Sequence, residues 1–155
     1  MEIERKFLPS QLPEGLSTLR SIPMVQGYLC TAPVIRVRRE GPRCILTYKG
    51  KGLLAREEYN LPLTEKAFLH LLPKCDGRLI QKTRYLLPLK GTALTAEIDL
   101  FEGELAGLVL LEVEFPSMEA AECFVPPAWF GREVTQDPAY HNANLSRGVD
   151  PRSAG

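Results

Sequence analysis

Polar and apolar residues alternate along long stretches of this chain. In the first eight residues, Glu2, Glu4 and Lys6 share one side of an extended strand, and Ile3, Arg5 and Phe7 share the other. Comparable segments near residues 1–8, 24–31, 33–40, 43–49, 55–62, 79–87, 93–101 and 108–115 predict eight strands. Gly41-Pro42, Gly50-Lys51-Gly52 and Lys90-Gly91 punctuate the gaps, most of which are hairpin length, so the pairing is expected to be antiparallel. Three short helices are predicted. One runs from an N-cap at Thr64 to Leu72, one follows Ser117 through Phe124, and one starts at Asp137-Pro138 and stops at Gly148. Residues 1–149 read as one domain and 150–155 as a frayed tail.

The polar face of these strands is charged in an ordered way. Five strands carry like charges two residues apart: Glu2 and Glu4, Arg36 and Arg38, Lys82 and Arg84, Glu97 and Asp99, Glu112 and Glu114. Lys6, Lys49 and Glu58 fall on the same faces. At about 4 Å and an effective dielectric near 20, each like-charge contact costs roughly 4 kcal/mol. Such a pattern therefore calls for partners of opposite sign. The other strand faces are apolar and need cover, which short helices supply only in part. A mainly β fold meets both demands: a closed eight-stranded antiparallel barrel, charges inside, apolar face under helices or a homodimer partner. Six cations and seven carboxylates would then share a lumen. A polyanion carrying Mg²⁺ or Mn²⁺ suits both sets, because guanidinium and ammonium groups hold phosphate oxygens and hard carboxylates hold the metal.

Composition narrows the rest. The 155 residues suffice for one domain with a real core, and 19 basic residues balance 19 acidic ones, so no net charge points to nucleic acid. No apolar run reaches membrane-span length, and the acidic start does not read as a signal peptide, which predicts a cytoplasmic protein. Cys30, Cys44, Cys75 and Cys123 lack Cys-x-x-Cys spacing and read as reduced thiols. No Ser, Cys or His sits in a nucleophile motif and no Walker-type glycine loop occurs, so a covalent intermediate is not expected.

In Glu2-Ile3-Glu4-Arg5-Lys6, Arg36-Val37-Arg38, the Lys49 strand, Glu58, Lys82-Thr83-Arg84, Glu97-Ile98-Asp99 and Glu112-Val113-Glu114, in this order, the chain resembles the CYTH superfamily, the triphosphate tunnel metalloenzymes. Gln26-Gly27-Tyr28 and the Pro126–Gly131 segment are most similar to short bacterial members that hydrolyse inorganic triphosphate. The resemblance spans about residues 1–146 and implies an eight-stranded tunnel, a divalent cation and a small triphosphate substrate. On it, Glu112 and Glu114 are expected to bind metal, with Glu2 and Glu4 completing that site or holding a second ion. Lys6, Arg36, Arg38, Lys49 and Arg84 are expected to grip phosphates. Lys82 would support the reacting phosphoryl group, and Tyr28 would assist Lys6 or the attacking water. Glu58, Glu97 and Asp99 would extend metal coordination through water or orient cations, with a structural salt-bridge role as the alternative. His141 stands where similar proteins carry lysine, and reads as a surface helix residue. Thiamine triphosphate, a nucleoside triphosphate or ATP cyclisation stay open as alternatives, as does a non-enzymatic polyphosphate-binding module. No aromatic cluster is evident for an organic group at a tunnel mouth.

Overall fold

The computed structural model describes residues 1–154. Its strands are β1 (Glu2–Leu8), β2 (Arg20–Thr31), β3 (Val34–Glu40), β4 (Arg43–Lys49), β5 (Ala55–Arg56), β6 (Glu58–Leu63), β7 (Asp76–Pro88), β8 (Thr95–Phe101), β9 (Val109–Glu114) and β10 (Arg132–Glu133). They pair antiparallel in the order β10-β1-β9-β8-β7-β2-β3-β4-β6. The expected strand 55–62 is divided at Glu57. Its first part, β5, pairs back onto β1 through Glu2 opposite Arg56 and Ile3 opposite Ala55, while β6 pairs with β4. One run thus serves both neighbours at the seam and closes the sheet into the expected barrel. β2 and β7 begin earlier than the alternation suggests because they pair with each other from Arg20 opposite Leu86 to Tyr28 opposite Asp76.

Helices cover the outside. α1 (Glu65–Leu71) is capped by the Thr64 side chain and drops Phe68 onto Val37 and Cys44, on the outer face of β3 and β4. α2 (Met118–Cys123), capped by Ser117, and the 3-10 turn Ala128–Phe130 cover Phe7, Ile98, Leu111 and Val113. Gly131 follows that turn at φ 72°, where an added Cβ would sit 2.1 Å from the Leu8 carbonyl oxygen. Glycine there lets β10 lie against β1. The outer face of β6 stays bare, with Tyr59 and Leu61 exposed.

The predicted third helix is broken in two. Asp137 caps a 3-10 turn, Pro138–Tyr140, by accepting from the Ala139 amide, and the carbonyl of extended His141 then starts α3 (Asn142–Ser146). This segment does more than cover. Tyr140 and Leu145 pack with Ile80, Phe101 and Leu110, which share the inward parity of Arg84, Asp99 and Glu112. Part of the lumen is therefore an apolar plug, which the charge pattern did not reveal. The segment expected to fray forms a 3-10 turn, Pro151–Ala154, where Arg152 donates to the carbonyls of Ala106 and Glu104; Gly155 lies outside the described residues. Among the described residues no helix is long and apolar enough to cross a membrane.

Arg5 is the polar exception on the apolar side of β1. It pairs with Glu133 at 2.7 Å and donates to the carbonyls of Ala121 and Phe124 at 2.8 and 2.9 Å, with its guanidinium against the Phe7 and Phe124 rings. It therefore ties the end of α2 to the barrel. Arg5→Ala should destabilise the protein by about 2–3 kcal/mol, since hydrogen bonds to a charged group contribute about 1.5–3 kcal/mol each. Chemical denaturation checks this; an unchanged midpoint would show that α2 docks without the clamp.

Candidate active site

The barrel encloses a cavity of about 270 Å³. Going round the ring from β1 through β9, β8, β7, β2, β3 and β4 to the β5–β6 run, β3 stands four strands from β9 in either direction. The two strands therefore face each other across the lumen. β3 contributes Arg36 and Arg38, and β9 contributes Glu112 and Glu114. β1 and β8 add Glu2, Glu4 and Glu97 beside β9, and β4 adds Lys49 and Arg43 beside β3. One wall is cationic and the wall opposite is anionic. This separation follows from strand order, because like pairs were placed on neighbouring strands.

Most of the carboxylate wall is held on cations. Arg84 is saturated: Nε and Nη2 donate to Asp99 at 2.7 and 2.9 Å, Nη1 donates to Glu97 at 2.8 Å, and Glu112 lies 3.6 Å away. Glu112 is also 3.5 Å from Lys6. Lys49 joins Glu2 at 2.7 Å and Glu58 at 3.4 Å, and Arg56 lies 3.8 Å from Glu2. Burial opposes the Glu112 charge, but Lys6, Arg84 and Lys82 outweigh it and hold the carboxyl well below its usual range. Asp99, fully buried, is likewise held low by Arg84 and Lys82.

Charge is left over on both walls. The Nε atoms of Arg36 and Arg38 are buried without a hydrogen-bond partner. Arg38 pairs with Glu40, while burial and the nearby Arg36 and Arg84 lower its pKa to about 10, so it stays charged. On the other wall Glu4 lies opposite Glu114, and among the described residues neither forms an ion pair. Burial, reinforced by Glu112, pushes Glu4 up to about 7. Burial, partly offset by Arg84, does the same to Glu97, also to about 7. An orphaned guanidinium row asks for an anion, and an undercompensated carboxylate asks for a cation. Among the described residues no three acidic, His or Cys side chains already form a cation cage; Glu2 and Glu112 are held in ion pairs instead. The hard oxygen donors Glu2, Glu4, Glu112 and Glu114 nevertheless fit a divalent metal in chemistry, and the raised Glu4 carboxyl marks where positive charge is short.

Twelve of the residues expected in the site line this cavity: Glu2, Glu4, Lys6, Tyr28, Arg36, Arg38, Lys49, Glu58, Arg84, Glu97, Glu112 and Glu114. Lys82 and Asp99 do not. Lys82 is 1% exposed, pairs with Asp99 at 2.7 Å and lies over the Phe101 ring, against the apolar plug. Burial lowers its pKa to about 8 despite Asp99. Both residues sit behind Arg84, which Asp99 orients. Arg43, Arg56 and His141 are among the lining residues outside the expected set. Arg56 and Arg43 could have been found, since they share strand faces with Glu58 and with Lys49. His141 reaches the cavity because the helix breaks there; it is half-buried, and burial together with Lys6 and Arg56 lowers its pKa to about 4, so it is neutral.

No family model matches the chain. It is 42% identical over 151 residues to an inorganic triphosphatase of Nitrosomonas europaea, covering 96% of this chain and 98% of that protein. It is 39% identical over 150 residues to an inorganic triphosphatase of Acetivibrio thermocellus, covering 93% and 92%. The crystal structure of the inorganic triphosphatase NE1496 superposes with a TM-score of 0.70 at 40% identity, covering 95% of both chains.

The raised Glu4 carboxyl makes a sign-specific prediction. A folded pKa above the unfolded one favours the native state below about pH 4.5, and that contribution is lost as pH rises through about 7. In metal-free buffer Glu4→Gln should therefore melt above the wild type at pH 8, and the gap should close by pH 5. Each kcal/mol of relief corresponds to about 2–4 °C in a domain of this size. Parallel melting curves across that range would show that Glu4 is compensated in the native state.

Proposed function

Because the chain belongs to the family of inorganic triphosphatases, the triphosphate tunnel metalloenzymes, we propose that it hydrolyses inorganic triphosphate to pyrophosphate and phosphate inside the barrel. The observation that carries this reading is the row of Arg36 and Arg38, each with a buried Nε that has no hydrogen-bond partner, facing the Glu112 and Glu114 wall across one cavity. Arg36 and Arg38 hold the phosphate oxygens, with Lys6 and Lys49 released to them from Glu112 and Glu2. Glu2, Glu4, Glu112 and Glu114 would hold Mg²⁺ or Mn²⁺, which supplies positive charge against the phosphate oxygens. Arg84, fixed by Asp99 with Lys82 behind it, orders Glu97 and Glu112 and adds charge to the same wall. Tyr28 lies opposite Arg36 in the β2–β3 register and lines the same cavity. A water oxygen bonds to a terminal phosphorus, its bridging P–O bond breaks, pyrophosphate leaves and one proton is released. In-line positioning and charge neutralisation carry phosphoryl transfer, so no covalent intermediate is needed.

A phosphate-binding module would need only the cations, so the carboxylate wall favours turnover. Three linked phosphates match the distributed cations without requiring a base or ring site. The bare β6 face supports a homodimer, which sedimentation velocity tests: a monomer removes it. Four free thiols, one of them exposed, suit a reducing cytoplasmic compartment.

Phosphate release across inorganic triphosphate, pyrophosphate, ATP and thiamine triphosphate, with Mg²⁺ or Mn²⁺, tests the reading. Triphosphate should give the highest kcat/KM, and EDTA should stop turnover. Arg36→Ala should lower kcat/KM about tenfold to a hundredfold, from the roughly 1.5–3 kcal/mol of a charge-assisted hydrogen bond. A higher kcat/KM for ATP or thiamine triphosphate would replace inorganic triphosphate as the substrate, and full activity in EDTA would remove the metal.

A further inference from the structure

One carboxylate stands on the cationic wall. β3 carries Arg36, Arg38 and Glu40 at successive inward positions, and Glu40 is the one acidic residue of β3 and β4. It pairs with Nη2 of Arg38, which has no other ion-pair partner among the described residues. Nε of Arg38 stays buried without a hydrogen bond. Both side chains are largely buried, and both line the tunnel. Burial and the neighbouring Arg36 and Arg84 push the Arg38 pKa down, and Glu40 opposes them. The one counter-charge of Arg38 is thus a side chain of its own strand.

The hairpin supplies Glu40 with a second partner. Glu40 and Arg43 flank the two-residue turn Gly41-Pro42 and lie directly opposite each other in the β3–β4 register. Gly41 has φ 55°, the left-handed conformation that glycine supplies at the first position of so tight a turn. Side chains directly opposite in an antiparallel pair share a face and come within contact distance. Arg43 lines the tunnel, is exposed, and forms no ion pair among the described residues. Glu40 therefore stands between two guanidiniums, Arg38 two residues back along its strand and Arg43 across from it, and only Arg38 is engaged.

We infer that Glu40 competes with the phosphates of the substrate for Arg38, and that binding hands Glu40 over to Arg43. The inference rests on the triphosphate reading and adds to it a residue that sets affinity. A carboxylate brings one negative charge to Arg38, and a polyphosphate brings more, spread over several oxygens. A weakly charged anion gains little by displacing Glu40, so the side chain screens such anions out. It also keeps the buried guanidinium compensated between turnovers. The alternative is that Glu40 only positions Arg38, and that role has the opposite sign. Removing a positioning residue weakens binding, whereas removing a competitor strengthens it.

Calorimetric titration of triphosphate in EDTA at low salt reads binding apart from turnover, on the wild type, Glu40→Gln, Arg43→Ala and the two combined. Glu40→Gln should bind triphosphate about tenfold tighter, the ratio that roughly 1.4 kcal/mol gives. Without ligand it should melt below the wild type, because Arg38 loses its counter-charge. Glu65→Gln removes the same charge from an outer pair with Arg39, and should leave the Kd within about twofold of the wild type. Arg43→Ala should weaken binding several-fold in the wild type and less than about twofold in the Glu40→Gln background, where no carboxylate needs the second guanidinium. Unchanged or weaker binding by Glu40→Gln would overturn the inference and leave Glu40 a positioning role. An equal gain in Glu65→Gln would overturn it as a general effect of charge, and equal Arg43→Ala losses in both backgrounds would overturn the hand-over. Phosphate release with Mg²⁺ is measured separately. A Glu40→Gln gain in a protein that binds triphosphate without hydrolysing it would sink the hydrolytic reading alone, and hydrolysis without that gain would sink this inference alone.

Discussion

The structure depends on keeping opposite charges within reach inside a closed ring. A carboxylate or guanidinium taken from water must find a counter-charge or it destabilises the fold by several kcal/mol. Here strand order does the matching. Glu112 sits between Lys6 and Arg84 because β9 pairs with β1 on one side, and on the other Arg84 reaches from β7 across β8. Closure is part of the same bargain. At the seam the short β5 brings Arg56 opposite Glu2, and Lys49 reaches the same carboxylate from the β4 side. Opening the ring there would strand charges as well as backbone groups.

The matching is deliberately uneven. Arg84 is engaged by three carboxylates and backed by the Lys82–Asp99 pair, so it is a fixed point. Arg36, on the far wall, has a buried Nε with no partner. A fully satisfied lumen would be more stable and would have nothing to offer a ligand. An unsatisfied one is costly until a polyanion and a cation enter together, which couples the two ligands. On the proposed reading, an anion on the Arg36 wall would draw Lys6 and Lys49 away from Glu112 and Glu2, and those carboxylates would then call for the metal.

Much of this was readable in the residue pattern, because period-two alternation reports which face a side chain occupies. The i, i+2 pairs therefore placed eight charged groups in one lumen, Lys6, Lys49 and Glu58 joined them by parity, and hairpin-length gaps gave antiparallel closure. Alternation does not report depth along the barrel axis. Lys82 and Asp99 share faces with Arg84 and Glu97, yet one step deeper the lumen meets Ile80, Phe101 and Leu110, and both are sealed from the cavity. Nor does it report a helix that breaks. Asp137-Pro138 gave the correct start, but the competing cap at Asp137 and the extended His141 end the first turn, and that break points His141 into the tunnel. Arg56 shares its parity with Glu58 and was legible on that ground, although the run divides between them into the two-residue β5 and β6.

The C-terminal segment bounds the charged space of the lumen. Tyr140 and Leu145 enter the apolar plug, which fills the lumen beside β7, β8 and β9 and leaves the charged stretch a bounded size. From the same few residues, His141 and Ala143 border both the tunnel and an adjoining cavity lined by Lys51 and Arg147, which Asn144 also borders. One short turn therefore limits the space on one side and leaves a cationic opening on the other.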